Sequence, residues 1–115
     1  MEEKVNNVIC GAKHVICKTA NGNLYTWGWG GRGQLGHGNL NSLCYPKRLV
    51  FEETVQRVKP IQIMAGYRHT MVMFDDRKIF WWGTNGDLRN QDVPIRLDIP
   101  RKVTLIIFCC NLIES

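Results

Sequence analysis

The chain has 115 residues, a length that suits one domain or a piece of one. Its hydrophobic content of 44% and charged content of 22% are ordinary for a globular protein and exclude disorder along the whole chain. The net charge of +5 is scattered from Lys4 to Lys102 instead of forming a basic stripe, so nucleic acid is not an expected partner.

The cysteines indicate a reducing compartment. There are five of them, an odd number, with no C-x-x-C pair, and the opening residues MEEKVNNVIC do not resemble a signal peptide. We therefore expect free thiols and a cytoplasmic location, with the nucleus as the alternative. No apolar run approaches the roughly 20 residues that span a bilayer, so no membrane association is expected.

Cys10, His14 and Cys17 lie close enough in sequence to raise the question of a metal site. Zinc takes about four converging ligands, and no second cluster in the chain supplies the remainder. We therefore expect no bound metal, and no other cofactor.

Two copies of one pattern follow each other along the chain. The first, VICGAKHVICKTANGNLYTWG, begins at Val8, and the second, IMAGYRHTMVMFDDRKIFWWG, begins at Ile63. The matching residues are all 55 positions apart: Gly11, His14, Trp27 and Gly28 in the first copy, and Gly66, His69, Trp82 and Gly83 in the second. A constant offset of this kind indicates a repeat architecture.

Each copy reads as short β-strands joined by tight turns. Strands are predicted over residues 15–17, 24–27, 70–74 and 78–82, with further apolar runs after Pro46 and Pro94. Turns are predicted at residues 20–23 and 75–77, which are rich in Asn, Gly and Asp. Helical periodicity is absent, although residues 52–59 could form one turn of helix.

A period near 50 residues with three or four strands per copy is typical of β-propeller blades. We therefore predict an all-β fold, a partial β-propeller of two blades built from short antiparallel strands. Residues 1–54 form the first repeat and residues 55–100 the second. Residues 101–115 form an apolar tail, which is the start of a third blade, an added strand on the second blade, or sequence unrelated to the repeat.

The segment from Gly28 to Gly33 is a literal G-x-G-x-x-G, a pattern that binds phosphate when a helix begins at the loop. Here the following residues, QLGHGNLNSLCYP, contain two glycines and a proline and cannot open a helix. We therefore predict that these glycines are structural and bind no nucleotide.

Recurrence argues that the repeated histidines and tryptophans are structural as well, because a catalytic group is needed only once. We expect His14 and His69 to bond backbone near their own turns, and Trp27 and Trp82 to anchor the core. Partner contacts are sought instead in the loops at residues 29–45 and 84–93 and at residues that break the repeat. The candidates are Trp29, Arg32, His37, Trp81 and Asp87.

The pattern as a whole resembles the repeat of the regulator of chromosome condensation family. The first copy carries Gly11, His14, Asn21-Gly22, Leu24-Tyr25, Trp27-Gly28, Gly33-Gln34-Leu35-Gly36, Gly38 and Pro46. The second keeps Gly66, His69, Trp82-Gly83, Gly86, Leu88 and Pro94 but lacks the Gly-Gln-Leu-Gly core. The resemblance implies four-stranded blades of a seven-bladed propeller. The founding member of the family is an exchange factor for the small GTPase Ran that also binds chromatin, and many relatives use the propeller as a binding platform.

The resemblance implies a non-enzymatic protein–protein interaction module. The alternative is a guanine-nucleotide exchange factor, or a fragment of one, acting on a Ran-like small GTPase; binding to chromatin or DNA ranks third. Two blades cannot close a ring, and open strand edges and blade faces favour association. We therefore predict self-association, pairing with another propeller fragment, or membership of a longer protein.

Overall fold

The computed structural model describes residues 3–51, 59–84 and 91–97, and these residues form β-strands without a helix. The all-β prediction is therefore confirmed. The predicted tail at residues 101–115, the candidate Asp87 and nearly all of the predicted helical turn at residues 52–59 lie outside the described residues. The strands are β1 (Val5–Cys10), β2 (His14–Thr19), β3 (Leu24–Gly28), β4 (Leu43–Arg48), β5 (Pro60–Ala65), β6 (His69–Phe74), β7 (Ile79–Gly83) and β8 (Gln91–Leu97).

The strands form two four-stranded antiparallel sheets, in the orders β1-β2-β3-β4 and β5-β6-β7-β8. The first three strands of each sheet begin 55 residues apart, as the repeat predicts. Their pairing agrees in detail, because Ile9 faces Ile16 in the first sheet and Met64 faces Met71 in the second. Even the irregularities in register recur at equivalent positions. The two copies are therefore two versions of one blade.

The last strand of each sheet differs from the sequence prediction. The apolar runs were expected to follow Pro46 and Pro94, but β4 and β8 begin before these prolines and include them. Proline lacks the N–H that a central strand needs, and it is tolerated here because β4 and β8 lie at the edges of their sheets.

The two sheets pack face to face through a continuous apolar core. Strands alternate their side chains between two faces, so Ile16 and Leu24 point from the first sheet toward the second. They meet Val72, Phe80 and Trp82 there. Complete burial of side chains of this size contributes about 1.5–3 kcal/mol each. We call this contact between the sheets the seam.

Candidate protein-interaction surface

The glycine-rich loop after β3 crosses the seam and is held by the second sheet. The backbone carbonyl of Gln34 accepts hydrogen bonds from Trp82 Nε1 at 2.8 Å and from Thr70 Oγ1 at 2.9 Å. Gln34 and Leu35 are buried. Because the carbonyl receives two donors from another sheet, the loop fixes how the first blade sits on the second.

His14 joins the same network. Its Nε2 lies 2.9 Å from Thr70 Oγ1. The single hydroxyl proton of Thr70 is already donated to the Gln34 carbonyl, so His14 Nε2 carries a proton and donates it to Thr70. We expected this imidazole to bond the backbone near its own turn, and that expectation was wrong. The side chain instead bonds the hydroxyl of Thr70 on the other side of the seam.

Burial lowers the pKa of His14 from 6.5 to about 4, so the imidazole is neutral at physiological pH. Its ring lies directly over Gly11, where an added Cβ would come within 2.2 Å of His14 Cε1. Gly66 and His69 repeat this arrangement, with a corresponding distance of 2.1 Å. The G-x-x-H motif is thus explained by packing. The residue beneath the histidine ring must be glycine, because any side chain there would overlap the ring.

Residues 31–42 contain turns and bends but no helix, as the sequence predicted. Gly36 has a φ of +80°, and a Cβ there would lie 2.9 Å from both Trp82 Nε1 and Leu49 Cδ2. The backbone therefore approaches the second sheet more closely than a side chain would allow. This close approach, and not a phosphate, accounts for the glycine.

A matched pair of substitutions tests this role. Gly38 also has a positive φ, +86°, but its nearest atom to an added Cβ is 3.6 Å away. We expect Gly38→Ala to cost about 1 kcal/mol through backbone strain alone. Gly36→Ala adds overpacking and should cost about 2–4 kcal/mol in total, measured by urea unfolding. Equal losses for the two variants would contradict the close approach.

The opposite side of the first sheet is open. We call it the outer face, and it is defined by Val8, Val15, Cys17, Tyr25 and Trp27, which register and alternation place on one side. Val8 is 53% exposed, and Val15, Tyr25 and Trp27 are half-buried, whereas Cys17 is completely buried. Among the described residues, nothing covers this face as the first sheet covers the second.

The two repeated tryptophans therefore have different surroundings. Trp82 is completely buried, and its indole N–H is bonded to Gln34. Trp27 occupies the equivalent position but is half-buried, and the described residues provide no hydrogen-bond acceptor for its Nε1. The expectation that both tryptophans anchor the core applies in full to Trp82 and only partly to Trp27, because burial depends on a neighbouring blade.

One end of the outer face is fixed by Glu3. Its carboxylate accepts hydrogen bonds from the Tyr25 hydroxyl, from Asn23 Nδ2 at 2.6 Å and from Thr19 Oγ1 at 3.0 Å. Hydrogen bonds from Tyr25 and Asn23 lower the pKa of Glu3 to about 2. The segment before β1 is thereby tied to the turn between β2 and β3.

The predicted partner-contact residues lie in different settings. Trp29 is 41% exposed, with Lys13 Nζ 5.6 Å from its ring centroid, and Arg32 is exposed. His37 is half-buried and bonds Thr26, whereas Trp81 packs partly buried against an apolar cluster on the far side of the second sheet. Trp29 and Arg32 are thus accessible to a partner, and Trp81 is mainly a packing residue.

The sequence analysis did not include Val8, Tyr25, Lys47 or Arg48 among the candidate partner-contact residues. The first two lie on the outer face, and the last two line a pocket with His37 at the seam. A signal for the outer face was present, since the run Val15-Ile16-Cys17 places apolar side chains on both faces of one strand.

The three residues considered for a metal site lie within the part of the chain that the structure describes. There, no three His, Cys, Asp or Glu side chains come together in a way that could hold a metal ion. His14 points into the seam, whereas Cys17 points to the opposite side of the same strand. Those described residues also include no helix long and apolar enough to cross a bilayer.

Comparison with known families settles the nature of the repeat. A sequence pattern described as "Regulator of chromosome condensation (RCC1) repeat" matches residues 21–73, and a second pattern of the same description matches residues 6–34. The chain belongs to the RCC1 repeat family. Its two sheets are accordingly two blades of a β-propeller, and the described residues form a fragment of that fold.

Relatives of this RCC1-repeat chain share both sequence and fold. The Ultraviolet-B receptor UVR8 of Arabidopsis thaliana is 35% identical over 95% of the chain. The crystal structure of human WBSCR16 matches 86% of the chain with a TM-score of 0.73 and 27% identity. Prp20p of Saccharomyces cerevisiae matches 84% with a TM-score of 0.69 and 21% identity, a likeness in fold. The chain spans about a quarter of the length of each: 26%, 26% and 27%.

Proposed function

We propose that this RCC1-repeat chain is a non-enzymatic protein-interaction module that docks a partner on the outer face of its first sheet. The observation that carries the proposal is the contrast between its two repeated tryptophans. Trp82 Nε1 bonds a loop carbonyl from the preceding blade, and the outer face offers Trp27 Nε1 in the same position to a partner.

The seam indicates which partner fits. The second sheet makes two contacts with the first blade. It packs against an apolar sheet face, and it donates hydrogen bonds to the Gln34 carbonyl of the Gly-Gln-Leu-Gly loop. We propose that the outer face accepts the same two features from another RCC1-type repeat. Val15 stands where the second sheet has Thr70, so a docked carbonyl would receive one hydrogen bond from this chain instead of two.

A non-enzymatic role agrees with the use of the repeated residues. His14 Nε2 donates a hydrogen bond to Thr70 Oγ1, and Gly11 provides room for the imidazole ring. Both residues therefore have a structural use. Structurally similar proteins also have protein partners, since Prp20p binds Gsp1p and histones, and yeast RCC1 is bound by Kap60. We propose that the module acts in the cytoplasm, with the nucleus as the alternative.

Photo-crosslinking tests the docking proposal. A benzophenone amino acid at position 27, in cells that make the protein, should crosslink to peptides that carry a Gly-Gln-Leu-Gly-type loop, identified by mass spectrometry. The same group at position 67 is the control, because Tyr67 is 57% exposed but lies in the connection between β5 and β6 of the second blade. Position 67 should not capture such loops. Crosslinks from position 27 to unrelated sequences, or to none, would overturn the proposal.

Nucleotide exchange on a small GTPase is the second candidate. Its support is the reported binding of Prp20p to Gsp1p, and the chain matches 27% of the Prp20p chain. Exchange factors act by opening the nucleotide site of the GTPase and need no catalytic residue of their own. Faster release of fluorescent GDP from a Ran-type GTPase in the presence of the chain would establish this activity, and unchanged release would exclude it.

A further inference from the structure

A second site lies at the seam, away from the outer face. A pocket of about 260 Å³ opens between the two blades and is built from three segments: the glycine-rich loop, the end of β4 and the middle of β8. Its lining residues are Gly36, His37, Lys47, Arg48, Val50, Val93 and Pro94. The volume is below the range of about 300–1,000 Å³ typical of small-molecule sites, so it suits a single side chain or small ion.

Among the described residues, the pocket lining holds basic side chains and no acidic one. The basic lining residues are Lys47 and Arg48, and the imidazole of His37 lies beside them. Among the described residues, neither Lys47 nor Arg48 forms an ion pair; the salt bridge found there joins Lys78 and Asp76 on the β6–β7 turn. Uncompensated positive charge around a concave site attracts anions.

His37 is held in a defined orientation. Thr26 Oγ1 donates its proton to the Leu35 carbonyl at 2.6 Å, so the 2.8 Å contact between His37 Nε2 and Thr26 Oγ1 is a bond that the imidazole donates. In the neutral ring, Nδ1 therefore carries the lone pair. Burial lowers the pKa of His37, and the nearby Lys47 lowers it further. The charge of Lys47 therefore disfavours the protonated form of His37, and an anion bound between the two groups would favour it.

We propose that this pocket binds an oxyanion carried by a partner polypeptide, either a phosphorylated side chain or an Asp or Glu carboxylate. Lys47 provides the charge, His37 adds a second donor when it is protonated, and Arg48 contributes from the rim. Val50, Val93 and Pro94 form apolar walls that suit the carbon chain of the bound residue. The site is independent of the outer face, so either proposal can fail without the other.

The test is a titration of the 115-residue chain with short peptides, followed by NMR of the His37 ring. The probes are one peptide made with phosphoserine, glutamate or serine at its centre, together with inorganic phosphate. We expect the phosphoserine or glutamate peptide to move the His37 resonance and the serine peptide to leave it unchanged. The stronger of the two acidic peptides identifies the oxyanion, and tighter binding of inorganic phosphate than of either peptide would overturn the polypeptide source.

Variants locate the site. Lys47→Ala should weaken binding of the acidic peptide roughly tenfold, the loss expected for one hydrogen bond to a charged group. Lys78→Ala removes the same charge from the β6–β7 turn of the second blade and should change binding less than about twofold. Lys47 is exposed on an edge strand, so the fold should survive, as circular dichroism would check. Equal effects of the two variants, or an unmoved His37 resonance in the unaltered protein, would overturn the proposal.

Discussion

Trp82→Phe is expected to lower the free energy of unfolding by about 2–3 kcal/mol. The substitution leaves part of a fully buried site empty and removes one of the two donors to the Gln34 carbonyl. Thr70 still bonds that carbonyl, which limits the loss. Urea unfolding followed by circular dichroism measures the change, because the backbone signal is independent of the tryptophan that is removed.

Trp27→Phe is the matched control, since it makes the same chemical change at the equivalent position of the first blade. Trp27 is half-buried and donates no hydrogen bond to the described residues, so the expected cost is below about 1 kcal/mol. The difference in unfolding free energy between the two variants measures how much the first blade stabilises the second through Trp82. Similar losses would show that the seam is not where Trp82 derives its stability.

Acid is expected to destabilise the fold through His14. The pKa of this imidazole is about 4 in the folded protein and near 6.5 when it is exposed, so between these values the unfolded chain binds a proton that the folded chain does not. Its contribution is complete above pH 6.5 and is lost as the pH falls through 4. The loss over this window is about 3 kcal/mol.

Unfolding measured at several pH values between 7.5 and 4 tests this prediction, together with the NMR titration of the His14 ring. His37 contributes with the same sign because its pKa is also lowered. The pKa of Glu3, about 2, affects stability only below about pH 4.5, outside most of this window. His14→Gln should flatten the dependence above pH 4. A His14 ring that titrates near 6.5 in the folded protein would contradict the assignment.

The architecture could be predicted because the matching glycine, histidine and tryptophan residues of the two copies are all 55 positions apart. Gly11 and Gly66 lie beneath a histidine in each blade, and this requirement repeats wherever the blade does. The residues that differ between the blades could not be predicted in the same way. Trp27 and Trp82 are equivalent in sequence, and their burial differs because it is set by the sheet that lies beside them.

The pocket escaped prediction for a similar reason. Lys47-Arg48 is an adjacent basic pair, which in sequence resembles an ordinary solvated surface. This basic pair becomes part of a pocket only in the folded chain, where the loop at His37 and the edge strand β8 lie beside it at the seam. Likewise, Pro46 and Pro94 suggested strand boundaries, because the sequence does not show that β4 and β8 lie at sheet edges.

Hydrogen exchange of the indole N–H groups tests most directly whether the recurring glycine, histidine and tryptophan join successive blades. All four tryptophans can be followed in one NMR sample, so Trp27 and Trp29 serve as internal references for Trp82. We expect the Trp82 indole N–H to exchange at least about a hundredfold more slowly than that of Trp27. Equal exchange at Trp27 and Trp82 would contradict a seam held by the Gln34 carbonyl.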